Sequence, residues 1–233
     1  MFPLGSVLLP GGLLPLHVFE PRYRDMIRDC LRSDDEPEFG QVLITHGWET
    51  GGGDDRALVG TVARMMQVEA LDENRYALIA VGTRRIRINA WLPDDPYPIA
   101  DVDDWPDVDP DAPGLALQVA ASHARVRAAL ALAAQVADRE LGDHDGDDQD
   151  GDGQDGDGQD GDGRKGEDGG AVRTDDTAIS DDPLLATYHL AALAPIGPAD
   201  RHRLLAAEGP VRRLDLLDEI LDDVEAMLKF RLS

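Results

Sequence analysis

Leu14-Pro15-Leu16-His17-Val18-Phe19-Glu20-Pro21-Arg22-Tyr23 sets the reading of the whole chain. Leu14, Leu16 and Val18 recur with a period of two, which belongs to an extended strand with one face buried. Pro15 supplies no N–H, so this strand fits a sheet edge or a strand start. At Glu20-Pro21 the period changes. Pro21 suits the first helical position, and Tyr23, Met26, Ile27, Cys30 and Leu31 follow at spacings of three and four. Arg22, Arg24, Arg28 and Arg32 fall off that stripe, so Cys30 reads as packing rather than chemistry. Glu20 is placed to cap the helix or to pair with Arg22, Arg24 or Arg85.

Upstream, Met1 to Phe19 carries no Asp, Glu, Lys or Arg. Pro3, Pro10, Pro15 and Gly11-Gly12 break any helix there, and neither a basic start nor a small-residue cleavage site accompanies it. The segment reads as strands, not as a signal peptide or a membrane span, and the chain as soluble and cytoplasmic. Downstream, Phe39–His46, Ala57–Leu71, Tyr76–Val81 and Arg84–Leu92 read as strands. Turn chemistry separates them at Gly51 to Asp55, at Asp72-Glu73-Asn74 and at Gly82. Arg85-Ile86-Arg87-Ile88-Asn89 alternates, which places the isoleucines on the core face and predicts Arg85 and Arg87 on a wet face.

Beyond the Pro/Asp-rich stretch Asp103–Pro113 the period becomes helical. Leu115, Val119, Val126, Leu130 and Val136 mark a long alanine-rich helix ending near Leu141-Gly142. Asp182 and Pro183 then form an N-cap and first position for a helix to Leu193. A short helix is expected around Arg201–Ala207, and Leu214, Leu217, Leu221, Val224 and Leu228 make the buried stripe of a last one. Between the two halves of this bundle, residues 142–170 hold 12 acids and 2 bases and repeat Asp-Gly-Asp-Gly-Gln from Asp150 and again from Asp155. Such a segment has little to bury and reads as a disordered, solvated acidic insertion reaching to residue 181. Over all 233 residues, 22 Lys+Arg against 47 Asp+Glu leave a formal charge of −25, which disfavours nucleic-acid binding.

Phe2-Pro3-Leu4, Val7 to Gly11 and Leu14 to Tyr23 together resemble the opening signature of the Lon protease N-terminal, substrate-binding domain family. The resemblance continues through Gly40 with Val42 to Ile44, Val59 to Ala63, Gly82 with Arg84 to Ile86 at a hairpin, and Tyr97-Pro98 with Ala100 to Val102. Pro183-Leu184, Tyr188, Leu190-Ala191, Pro195 and Asp200-Arg201 through Leu205 look like the helical half of the family's stand-alone bacterial members. It implies an α+β fold: a β pseudo-barrel similar to the PUA domain with one inserted helix, over residues 1–111. A helical bundle follows, from 112–141 and 182–233, interrupted by the acidic insertion 142–181. It also implies recognition of protein substrates.

Catalysis is not expected. The sequence contains no G-x-x-x-x-G-K-[ST] loop, and its two lysines are Lys165, set among aspartates, and Lys229, so neither an ATPase nor a Ser-Lys peptidase site can be composed. His17, His46, His123, His144, His189 and His202 lack zinc spacing. Ser122 and His123 are adjacent on a helix and point about 100° apart. Ser6 and His17 fall on separate strands. The Asp-Gly repeats lack the anchor residue of a calcium loop. The expectation is therefore no catalytic residue, no cofactor and no metal, with a polypeptide client or protease partner as ligand. The alternatives are a hydrolase with an unrecognised site, and a PUA-like RNA binder using Arg84, Arg85 and Arg87.

Overall fold

A computed structural model describes residues 1–33, 35–47, 55–72, 75–144 and 179–233. The expected disordered insertion lies almost wholly outside these residues. The strands are β1 (Phe2–Leu4), β2 (Leu13–Val18), β3 (Glu38–His46), β4 (Asp55–Asp72), β5 (Arg75–Trp91) and β6 (Ala100–Asp104), with helix α1 (Pro21–Arg32) between β2 and β3. They form one mixed sheet in the order β1-β3-β4-β5-β2, in which β1 lies parallel to β3 and the other pairs are antiparallel. β6 joins β5 beyond β2, so the long strand β5 pairs along one edge with β4 and along the other first with β2 and then with β6. The sheet is curled but open, and β1, β2 and β6 each have a single strand neighbour among the described residues.

β5 corrects the reading of Gly82 as a hairpin turn. The strand runs unbroken through it, with a bulge where Val62 faces Arg84 and Ala63 faces Gly82. The glycine is needed for close approach: a Cβ there would lie 2.3 Å from the carbonyl oxygen of Leu9. Gly82 exchanges backbone hydrogen bonds with the crossing segment, donating to Gly12 O (2.9 Å) and accepting from Gly11 N (2.8 Å).

The helical half comprises α2 (Leu115–His144), α3 (Pro183–Leu193), α4 (Pro198–Leu205) and α5 (Pro210–Leu232). α2 runs past the expected stop at Gly142. Asp182 caps α3 as its sequence predicts, its Oδ1 accepting from Leu184 N (2.8 Å) and Leu185 N (3.2 Å). Glu20 does not cap α1; its carboxylate takes Arg22 Nε at 3.0 Å. Cys30 packs on α1 and gives its Sγ–H to Glu38 O, and burial pushes its thiol pKa up.

Two apolar clusters result. One lies inside the sheet under α1 and includes Phe2, Val18, Tyr23, Met26, Ile27 and Leu78. The other joins the helices through Val126, Leu190, Leu204, Leu217 and Leu221, and it takes in Leu9 from the β half. Each fully buried leucine stabilises the fold by about 1.5–3 kcal/mol.

Candidate functional site

The segment between β1 and β2 crosses the sheet without being a strand, and buried polar side chains fix its course. Gln41 accepts from Leu8 N (3.0 Å) and donates to Ser6 O (2.7 Å), while the Thr61 hydroxyl donates to Leu8 O (2.6 Å). Both side chains are buried and hydrogen-bonded, which ties the crossing to β3 and β4. It delivers Pro10 to the boundary between the two apolar clusters.

At that boundary lies a groove of about 410 Å³. Pro10, Trp105, Pro106, Pro110, Leu184 and Leu185 give it predominantly apolar walls, and Thr83, Arg84, Arg85, Asp107, Asp182 and Tyr188 complete it. One wall is the connection that follows β6; the opposite wall is the first turn of α3. The connection is itself pinned, with Val108 N bonded to Glu208 O (3.0 Å). The glycine after Glu208 is required, because a Cβ on Gly209 would stand 2.2 Å from Val108 O.

A buried charge cluster forms the floor. Asp107 Oδ1 forms an ion pair with Arg85 Nη2 (3.1 Å) and accepts from Arg213 Nη2, and Oδ2 accepts from the Tyr188 hydroxyl (2.6 Å). The same hydroxyl accepts from Arg213 Nη2 at 2.9 Å. Two guanidinium groups thus share one carboxylate. The surplus positive charge meets the C-terminal end of α4: Arg85 Nη1 donates to Leu205 O and Ala207 O, Arg85 Nη2 to Glu208 O, and Arg213 Nε to Leu204 O. The carbonyls of Leu204 and Leu205 belong to the last turn of α4, the negative end of its dipole, and those of Ala207 and Glu208 follow directly after it. Burial lowers the pKa of Arg85 and, as the largest influence, raises that of Tyr188. The indole of Trp105 covers both Arg85 and Arg87, with guanidinium carbons 4.5 Å and 4.3 Å from its centroid.

Arg85 therefore contradicts its expected place on a wet face. It is 3 % exposed, because the helical bundle covers the side of β5 opposite to the sheet core, and Ile86 on the other side is equally buried. Arg84 and Arg87 are exposed. The clearest signal of the cluster in the sequence is Arg213, which falls four residues before Leu217 on the apolar stripe of α5 and is completely enclosed. Asp107 and Trp105 carry no such signal inside the polar connection.

The histidines are scattered. His17 and His46 are exposed, His189 Nδ1 accepts from Ser180 N (3.1 Å), and His202 Nε2 lies 3.2 Å from Val59 O on β4. The side chain of His144 lies outside the described residues. Ser122 is buried on α2, one residue before His123. Among the described residues no three His, Cys, Asp or Glu side chains are grouped to hold a metal ion, and no helix is long and apolar enough to cross a membrane. A second hollow, of about 420 Å³, lies along β2, β4 and β5 between Pro15, His17, Gln67, Glu69 and Ile79, beside an edge strand that lacks the Pro15 N–H.

The chain is 34% identical over 93 residues to a Lon protease of Anaeromyxobacter dehalogenans, and 34% identical over 99 residues to Lon protease 2 of Myxococcus xanthus. These matches span 40% and 42% of this chain but only 11% and 12% of those proteins. The crystal structure of a Lon N-terminal domain protein from Xanthomonas campestris superimposes with a TM-score of 0.57 at 26% identity, covering 93% of this chain and 94% of that one. The N-terminal domain of the Mycobacterium avium complex Lon protease has the same fold, with a TM-score of 0.54 at 16% identity over 95% of this chain and 97% of its own. The profile of the ATP-dependent protease La (LON) substrate-binding domain matches residues 1–223, and with the curled mixed sheet followed by helices this shows that the chain belongs to that family.

Proposed function

We propose that this chain is a non-enzymatic polypeptide-recognition module that holds an extended segment of a client protein or of a protease partner, in protein quality control. The groove between the two apolar clusters carries the reading. Its walls are mostly apolar, as a site for side-chain anchors requires, and it opens beside β6. β6 has a strand on one side only among the described residues, and Asp101 to Asp104 are exposed. A guest chain can therefore add as a further strand on β6 and lay an anchor side chain against Trp105 and Leu185. β1 is three residues long and β2 carries Pro15, so both are poorer templates.

The same geometry argues against phosphate recognition by Arg85, which is ion-paired with Asp107 and hydrogen-bonded to the carbonyls of Leu205, Ala207 and Glu208. The family match concerns a substrate-binding domain, which supports binding without catalysis. A photo-crosslinking residue in place of the exposed Pro110 tests the proposal against an unfolded, alkylated protein. Crosslinking at Pro110 that exceeds crosslinking at Asp215 on α5 several-fold is the expected result. Equal labelling at both positions refutes it.

A further inference from the structure

Exposed acids adjoin the lining of the apolar groove along the chain. Asp182 lines the groove, Asp181 precedes it, Asp104 immediately precedes the lining residue Trp105, and Asp109 and Asp111 flank the lining residue Pro110; all five are exposed. Two exposed arginines stand among them. Arg84 is committed to Glu38 (2.8 Å) and Asp104 (2.9 Å), and Arg87 lies on the Trp105 ring. The positive charge of the floor is directed inward, onto Asp107 and the carbonyls at the end of α4. A negative mouth over low-dielectric walls concentrates the local field, and the chain's charge of −25 adds to it at longer range.

Resting on the groove reading above, we infer that the groove selects extended segments in which a bulky apolar residue is flanked by lysine or arginine. The apolar residue lies against Trp105, Pro106 and Leu185, and the flanking cations meet Asp111 on the connection and Asp181 ahead of α3. Segments of equal apolarity with acidic flanks are repelled. Charge at the rim of a binding site governs encounter and discrimination more than the strength of the anchor contact. Selection is therefore steep at low salt and shallow at high salt.

Labelled peptides with one apolar centre and lysine, serine or glutamate flanks test this by fluorescence anisotropy. At about 0.01 M ionic strength, where charges interact over ~30 Å, the lysine peptide is expected to bind at least about tenfold tighter than the glutamate peptide, a difference of ~1.4 kcal/mol. At about 1 M, where the range is ~3 Å, the gap closes. The double substitution Asp111→Lys/Asp181→Lys removes the preference, and Asp215→Lys/Asp223→Lys on the outer face of α5 leaves it in place. Equal binding of lysine and glutamate peptides, weakened for both by Leu185→Gln or by the exposed change Pro110→Trp, overturns the charge selection and keeps the groove. Equal loss of preference in the two double variants also overturns it, assigning the effect to net charge. Absence of binding by every peptide, or binding indifferent to Leu185→Gln and Pro110→Trp, overturns the groove reading itself.

Discussion

Asp107 sits between two guanidinium groups and, among the described residues, is the single carboxylate that both contact. Its removal is more serious than the removal of either arginine. Asp107→Asn preserves shape but leaves Arg85 and Arg213 facing each other without an anion, and breaking a buried ionic cluster in this way typically costs about 3–5 kcal/mol. Arg85→Met is expected to cost less, because Arg213 still neutralises Asp107 and only the carbonyls of Leu205, Ala207 and Glu208 lose donors. Urea unfolding midpoints decide the order, and an Asp107→Asn protein within about 1 kcal/mol of the parent contradicts the account. The cluster also shows why residue-level reading failed at Arg85. Period-two alternation separates two faces of a strand but does not tell which of them water reaches. At Arg85 a second layer, contributed by a segment more than a hundred residues later, dries the outer face.

Among the elements, β5 makes the same point about continuity. The extended character of its two halves and the helix after β2 follow from composition and period, and so do the starts of α1 and α3, where Pro21 and the Asp182-Pro183 pair are local signals; the pairing of β5 with β2, β4 and β6 does not. Gly82 reads as a turn in sequence because glycine more often marks a break than a crossing. Its actual constraint is the backbone of Leu9 on top of it, a long-range contact that no local pattern announces. Gly82→Ala is accordingly expected to destabilise by about 1–3 kcal/mol through overpacking, with a thermal melt as the measurement. An unchanged melting temperature means that the crossing segment yields to a methyl group and is not the rigid support that places Pro10 in the groove.

For the whole molecule, the two apolar clusters could be anticipated from the change of period after residue 113, whereas the groove between them could not. It is made of prolines, one indole and one helical turn whose proximity depends on how two layers meet. His202 is one of the stitches across that meeting. A carbonyl can only accept, so Nε2 carries the proton and donates to Val59 O. Burial, opposed by this bond, lowers the imidazole pKa below its ordinary 6.5. The folded chain consequently takes up this proton less readily than the unfolded chain. The associated stability is present in full above about pH 6.5 and is lost as pH falls through the lowered value. Chemical denaturation of the parent and of His202→Gln at pH 7.5 and pH 5 is expected to show a larger acid-side loss in the parent, over and above changes common to both from the carboxylates. Identical losses contradict it.

Trp105 covers two arginines and simultaneously lines the groove. An indole so placed is a native optical probe: its emission depends on the polarity and cations around it, and anything that enters beside it displaces solvent from its ring. The molecule therefore announces occupancy in its own ultraviolet spectrum without an attached dye, and the signal can be isolated by converting Trp48 and Trp91 to phenylalanine.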